Sequence, residues 1–529
     1  MRFGACYCLY DDHEYLEVSL ASLKNQLDKV LFLISDIPWN GAIKNNSKTI
    51  EFVKKLCSKN KNFELIQGHW TNEIDQRNFG LKLFYDQGID YYFVIDNDEV
   101  YHDFHFNNIK EFIKNNPQIA AFHIEWNTYW SKKYYVIQPR EYYQPVIAVK
   151  VSSFSFTKIR HGVTSITRSG GYVFQTKEDK YNGALIPPNV AICFHLSYAR
   201  DNEFMKRKLE TNSHAPEFIR NWYENVWLKW QPTMKNIHPV TPQQYNQAIR
   251  ENFLVFPPAL KTFIKKERFE TQPCSIIILN WNSLELLKRC LDLVSKNTGG
   301  KKFEVIIVDN GSIKDESVDY LKNKMPTYDF PVKIVYNKTN LGFPGGVNAG
   351  ILVADPMNDI VLLNVDAEVQ PRWLREMYGT MINHPNCGLV GSLGNNVQSG
   401  WQREGLIEED AIVPNIHFYC VLISRDLIDK IGVLDVRYNL GGYDDDDFGT
   451  RAKLAGYECW LSAKALVKHE PHQVFKLNDL DYYKIDPINR EQFFQKFYTV
   501  LFHYAQVYDL YGKEDMAIKL GLKIENRKE

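Results

Sequence analysis

The 529-residue sequence has almost no net charge, with 63 basic residues against 64 acidic ones and a formal charge of -1. This excludes a global electrostatic pull toward nucleic acid or an anionic membrane, so a charged ligand must be met locally. No run approaches the roughly 18 apolar residues that span a bilayer. The opening residues, MRFGACYCLYDDHEYLEV, also lack a basic stretch followed by an apolar one. A soluble, cytoplasmic protein is expected. The nine cysteines are odd in number and contain no CxxC pair, while Cys6, Cys8 and Cys193 sit in apolar, strand-like runs. Free thiols in a reducing compartment are expected, without disulfides or a zinc site. What the chain does have is apolar bulk: at 44% hydrophobic and 14% aromatic it can fill two or three cores.

Two segments begin alike. The first has an apolar strand at 3–9, a helix with Leu16, Leu20, Leu23 and Leu27 on one face, and a second strand, KVLFLISD, ending at Asp36. The second has CSIIILN from Cys274, a helix with Leu287, Cys290, Leu291 and Val294 on one face, and FEVIIVDNGS, which contains Asp309 and Ser312. Strand, helix, strand implies a right-handed crossover and a parallel sheet, with ligands at the carboxyl ends of the strands.

Each half then reaches another apolar strand ending in acids: YYFVIDNDEV at 91–100 and DIVLLNVDAEV at 359–369. In an extended strand end, residues i and i+2 point the same way. Asp96 with Asp98, and Asn364 with Asp366, would each offer oxygens to one point, as a hard divalent cation completed by phosphates requires. Between the halves, 231–273 carries six prolines and little periodicity, which places a boundary near 265–273. Past 485, Phe494, Phe497, Tyr498, Leu501, Ala505 and Tyr508 fall at helical spacing and predict a helix packed on the second half.

The densest charge is in GGYDDDDFGTRAKLAGY, 441–457. One aspartate would cap the following helix. Four adjacent like charges predict a raised pKa or a balancing cation for at least one of them.

IIILNWNS, VIIVDNGS, NLGFPGGVNAG, LLNVDAEV, GGYDDDDFGTRAKLAGY and ALVKHEP, in that order over about 272–475, resemble glycosyltransferase family 2, particularly its rhamnosyltransferase-like members. The first half resembles the same superfamily more loosely, through WTNEIDQRNFGL, VIDNDEVY and CFHLSYARDNEFMKRKLETNSHA.

The resemblance implies an α/β protein with two tandem GT-A (Rossmann-like) domains, mixed and mainly parallel sheets flanked by helices, and a helical C-terminal extension. The expected divisions are 1–230, a proline-containing linker or helical connection at 231–272, 273–480, and 481–529. The activity implied is metal-dependent, bifunctional transfer of sugars onto a surface glycan, with inversion in the second domain. The partners implied are a dTDP- or UDP-sugar donor, Mn²⁺ or Mg²⁺, and a glycan or glycolipid acceptor, with homo-oligomerisation open and no nucleic acid expected.

Residue by residue, the family pattern of an acidic pair, a spacer and a further acid before an Arg places the pair on Asp444 and Asp445 and the later acid on Asp447. The base that deprotonates the acceptor hydroxyl is usually the second of the pair, which favours Asp445; Asp444 stands where relatives commonly have Glu. Asp366 and His469 are the implied metal ligands, with His472 as the fallback. Asp309, Asn310 and Ser312 would line the nucleotide edge, and Asn340, Gly342 and Asn348 the donor loop. In the first half Asp98 and His195 are the implied metal ligands, and Asp36, Arg77, Asn78 and Asp96 the donor contacts. Glu125 and Glu141 carry no motif and are expected to be ordinary surface or packing residues. Two other readings are a transferase for modified DNA bases, disfavoured by the neutral charge, and a glycan-binding or scaffold first domain.

Overall fold

The computed structural model describes residues 1–23, 26–39, 43, 45–131, 133–141, 144–156, 173–174, 183–211, 217–395 and 402–511. The chain divides into two compact units, Met1–Lys261 and Thr262–Glu529. The expected mixed α/β architecture is what folds, with largely parallel sheet cores flanked by helices and a helical C-terminal segment.

In the first unit an eight-stranded sheet runs in the order 173–174, 183–185, 121–123, 146–150, 91–94, 3–9, 29–35, 63–68. The strand Phe3–Leu9 pairs in parallel with both Lys29–Ser35 and Tyr91–Val94. A second sheet of five strands includes Trp126–Trp130 and Cys193–Tyr198. The first helix ends at Leu23, so Leu27, although buried, lies beyond it. The turn after Val94 also corrects the strand-end picture. Asp96 and Asp98 sit between Tyr91–Val94 and Glu99–Val100, and their carboxylates engage different cations.

In the second unit the order is 332–336, 303–309, 274–280, 359–364, 420–423, 387–393, 458–469, 367–369. Cys274–Asn280 pairs in parallel with Phe303–Asp309 and Asp359–Asn364, with Asn280 opposite Asp309 and Leu279 opposite Asn364. That register brings the polar ends of three strands to one edge. The strands read as continuous apolar runs because both faces are covered. Ile276, Ile278, Val305 and Ile307 pack on the helix Leu284–Asn297, which buries the expected Leu287, Cys290, Leu291 and Val294. The helix Gly342–Val353 lies against the same two strands.

Pro258–Thr271, within the segment read as a connection, is helical. Its Lys265 Nζ donates to the carbonyls of Met381, His384 and Cys387 at 2.8–3.0 Å, and its Arg268 bridges Asp359 and Asp426. The C-terminal helix Tyr482–Tyr511 buries Phe497, but Phe494 and Tyr498 are exposed, so the expected apolar face is only partly covered. The side chains of Leu501, Ala505 and Tyr508 lie outside the described residues. All nine cysteines are free.

Candidate active site

The carboxyl edge of the second unit's sheet is a hydrogen-bonded network before it is a site. Asp309, 1% exposed, accepts from Asn280 Nδ2 at 3.0 Å and from the Ser312 amide at 3.2 Å. Ser312 Oγ in turn accepts from the Asn282 amide at 2.8 Å. These groups fix the turns that follow the strands. Asn310 holds the glycine loop, with Nδ2 donating to Asn340 Oδ1 and to the Gly342 carbonyl and Oδ1 accepting from the Leu341 amide.

The loop opens the helix Gly342–Val353, and Gly342 has φ +73°. A Cβ there would stand 1.9 Å from the Asn439 carbonyl oxygen. Only glycine lets the loop approach the segment that leads into the acidic run. Phe343 N donates to that same oxygen at 3.0 Å.

The acidic run begins the helix Asp444–Leu454 after a turn in which Gly441, Gly442 and Tyr443 all have positive φ. The four carboxylates have four different fates. Asp444 is buried and accepts from the Gly442 amide at 2.7 Å. Burial first, and the charge of Asp445 second, push its pKa up to about 8. Asp445 borders the cavity and meets His417 Nδ1 at 3.2 Å, while Asp446 accepts from Asn415 Nδ2 at 2.7 Å. Asp447 is fully buried, bound by Arg451 Nε at 2.6 Å, by Tyr438 Oη at 3.1 Å and by Lys496. Both expected remedies for crowded charge therefore occur, a raised pKa at Asp444 and balancing cations at Asp447.

Asn364 ends its strand, and Asp366 follows in the turn. Asp366 Oδ1 is buried with no hydrogen-bond donor among the described residues, and His469 Nε2 stands 3.4 Å from it. Tyr419 stacks on the His469 ring at 4.7 Å and orients it. An orphan carboxylate oxygen beside an imidazole is a donor set that fits a divalent cation. No cluster of three or more His, Cys, Asp or Glu that could hold a metal occurs among the described residues, so the remaining ligands would come from phosphate or water.

These elements enclose a cavity of about 370 Å³. Of the residues named from sequence, Asn310, Asn340, Gly342, Asn364, Asp366, Asp444, Asp445, His469 and His472 line it. Asp309, Ser312 and Asn348 do not, and the Asn348 amide is spent on the backbone of Leu434 at 2.8 and 3.0 Å. The wall also includes Trp281 and Tyr443, which lie within motifs but were given no role, and His417, Tyr482 and Asp486, which no motif marks. His417 reaches the cavity because Cys420–Ile423 runs antiparallel to Asp359–Asn364, and that pairing leaves no local trace in sequence. Asn489 is one of many polar residues in the helix Tyr482–Tyr511, and nothing in the sequence marks it. Its Nδ2 donates to the carbonyls of Tyr438 and Gly441, each at 2.9 Å, bracing the turn before the acidic run.

The first unit has a smaller cavity of about 220 Å³, lined by Asp11, Asp12, Asp96, Asn97, Asp98 and Lys208 among others. Arg77, 2% exposed, pairs with Glu73 at 2.7 Å and with Asp96 at 3.0 Å. Asp98 lies 3.5 Å from Arg200, 3.7 Å from Lys208 and 3.8 Å from His195. Burial opposes its charge, yet Lys208, His195 and Arg200 hold its carboxyl below the usual range. His195 stacks on Trp126 at 4.0 Å, and burial lowers its pKa. Asp36 is exposed and pairs with His69 at 2.9 Å, while Asn78 is bound to the Phe156 backbone through both amide atoms. Neither these two nor His195 line the cavity. Glu125 pairs with Arg140, and Glu141 is buried against His238 at 2.9 Å and Thr128.

Residues 275–432 match the family Glycosyl transferase family 2. "Uncharacterized protein y4gI" of Sinorhizobium fredii is 25% identical over 224 residues, 37% of this chain and 24% of that protein. "Glycosyltransferase AglE" of Haloferax volcanii is 23% identical over 199 residues, 35% of this chain and 62% of that one. The chain thus spans less than two thirds of the length of either relative. Among solved structures, GalNAc-T7 with UDP, GalNAc and Mn²⁺ aligns at a TM-score of 0.33 and 15% identity, covering 37% of this chain and 43% of that one. Lying wholly within the second unit, residues 275–432 form a glycosyl transferase family 2 domain.

Proposed function

We propose that the protein is a bifunctional glycosyltransferase using nucleotide-sugar donors, with the second unit making an inverting transfer to a hydroxyl of a glycan or glycolipid. The observation that carries this reading is the meeting, on one cavity, of the glycine loop, Asp366 with His469, and Asp444 with Asp445. Asn310, Asn340 and Gly342 form the donor side, where the backbone at a helix N-terminus suits phosphate. Asp366 and His469 would hold Mn²⁺ or Mg²⁺, which when bound offsets the charge that builds on the departing diphosphate.

Asp445 is the base in this reading. Asp444 keeps its proton at neutral pH because it is buried beside Asp445, and a protonated carboxyl cannot take the proton of the acceptor hydroxyl. His417 Nδ1 positions the Asp445 carboxylate. Aromatic groups at Trp281, Tyr443 and Tyr482 supply apolar faces for sugar rings on the cavity wall.

The test is release of nucleoside diphosphate across a panel of dTDP-, UDP- and other nucleotide sugars, with Mn²⁺ and then with chelator. Metal-dependent release that Asp445→Asn removes supports the assignment. No release from any donor, with acceptor glycans present, overturns it.

A further inference from the structure

A buried polar group without a partner indicates what chemistry is missing beside it. In the second unit the orphan at the strand end is an oxygen, Asp366 Oδ1. In the first unit's corresponding turn the orphan among the described residues is an N–H donor, Asn97 Nδ2, and two further orphan donors, Arg77 Nη1 and Arg200 Nε, lie off the cavity wall. Arg77 and Arg200 are 2% and 3% exposed, and Asn97, on the cavity wall, is 9% exposed. A missing partner for an oxygen is a cation or a donor; for N–H groups it is an anion or another acceptor.

Each acid of the first cavity has a cation within 4 Å, although Arg77 is shared with Glu73 and Arg200 with Glu14. Asp11 lies 3.8 Å from Arg207, Asp12 3.0 Å from Arg200, Asp96 3.0 Å from Arg77 and Asp98 3.7 Å from Lys208. A divalent ion at Asp98 would meet Arg200 and Lys208 on the same oxygen, Oδ2, at a buried point where like charges repel strongly. The residues at Asp98 therefore do not fit a metal, contrary to the expectation drawn from the motif.

We propose that the first unit holds the diphosphate of its ligand without a divalent cation. Asn97, Arg207 and Lys208 contact it at the cavity wall, and Arg77 and Arg200 stand behind Asp96 and Asp98. This rests on the reading of the first unit as a nucleotide-sugar domain. The protein's own guanidinium and ammonium groups do there what a metal does in the second unit.

The experiment uses the full chain with Mn²⁺ and UDP, dTDP or GDP. Electron paramagnetic resonance counts bound Mn²⁺, and calorimetry of Asp366→Ala measures nucleoside diphosphate binding with Mn²⁺ and with EDTA. A single Mn²⁺ per chain is expected, lost in Asp366→Ala and retained in Asp98→Asn. Binding by Asp366→Ala is expected to be equal with and without EDTA and to weaken about tenfold or more on adding Lys208→Met, as loss of a charged hydrogen-bond donor implies. The exposed Arg207→Gln provides a second variant if Lys208→Met fails to fold.

A second Mn²⁺ that Asp98→Asn removes, or abolition of Asp366→Ala binding by EDTA, overturns metal independence while leaving a nucleotide site. Metal-free binding indifferent to both basic substitutions overturns the assignment of the cations. No nucleoside diphosphate binding by a folded Asp366→Ala chain, with or without Mn²⁺, overturns the nucleotide-sugar reading itself.

Discussion

Asp98 in the first unit and Asp366 in the second each follow a buried central strand, and each has a histidine from another strand beside it, His195 or His469. Their surroundings differ in kind. Asp98 has Arg200 and Lys208 within 4 Å, both from the segment after its histidine, whereas Asp366 keeps an oxygen without a hydrogen-bond donor among the described residues. A short acidic motif after an apolar strand does not by itself specify a metal site. What specifies it is whether the fold brings a permanent cation to the same carboxylate, since such a cation takes the place a metal would occupy.

The largest effect should separate the units by chemistry. Asp445→Asn should lower second-unit turnover about 10²–10⁴-fold, the usual contribution of a positioned base, with nucleoside diphosphate affinity unchanged by calorimetry. The comparison breaks if turnover stays near wild type, because the base then lies elsewhere.

Asp447→Ala tests the opposite role within the same run. Its fully buried carboxylate neutralises Arg451 and Lys496, and removing it leaves Arg451 without a carboxylate and Lys496 with Asp435 alone. A loss of about 3–5 kcal/mol in urea unfolding of the second unit is expected, the usual cost of breaking a buried ion pair. The first unit should melt unchanged.

Asp366→Ala should weaken Mn²⁺-supported nucleotide binding by at least roughly 10–100-fold, the range already lost when a metal site's outer partners are removed. Metal-free binding should barely move. Equal wild-type affinity with and without Mn²⁺ would sink the contrast with Asp98.

Gly342→Ala, at positive φ and against the Asn439 carbonyl, should cost about 1–3 kcal/mol of stability, in line with a strained backbone position. It should also weaken donor binding, since the loop must move away from the acidic turn.

The smallest effect concerns pH. Asp444 has a raised pKa when folded, so its stabilising protonation is present below the unfolded value of about 3.9. It is lost as pH rises through about 8. Asp444→Asn carries no such penalty and should melt a few degrees above wild type at pH 9, with little difference at pH 4. A gap that is the same at both pH values would remove the buried proton from the account.

Much of this molecule was legible from short-range pattern. Apolar runs at 274–280 and 303–309, and the four-residue face of the helix between them, form the elements their periodicity predicts, because a strand or helix is selected by which neighbours in sequence share a face. The glycine loop and the acidic turn were legible for a related reason. Positive φ at Gly342, Gly441 and Gly442 demands residues that local chemistry reveals.

Apart from the i,i+4 pair of Asp447 with Arg451, tertiary structure decided the charges. The partners of Asp98 lie about a hundred residues away, at Arg200 and Lys208, and the cations of Asp447 come from its own helix at Arg451 and from the C-terminal helix at Lys496. Sequence by itself established that acids stand at the strand ends and in one dense run. Which acid is neutralised, which keeps its proton and which presents an open oxygen depended on burial and on distances of 3–4 Å between distant segments, where electrostatic interaction is strong and local pattern carries no information.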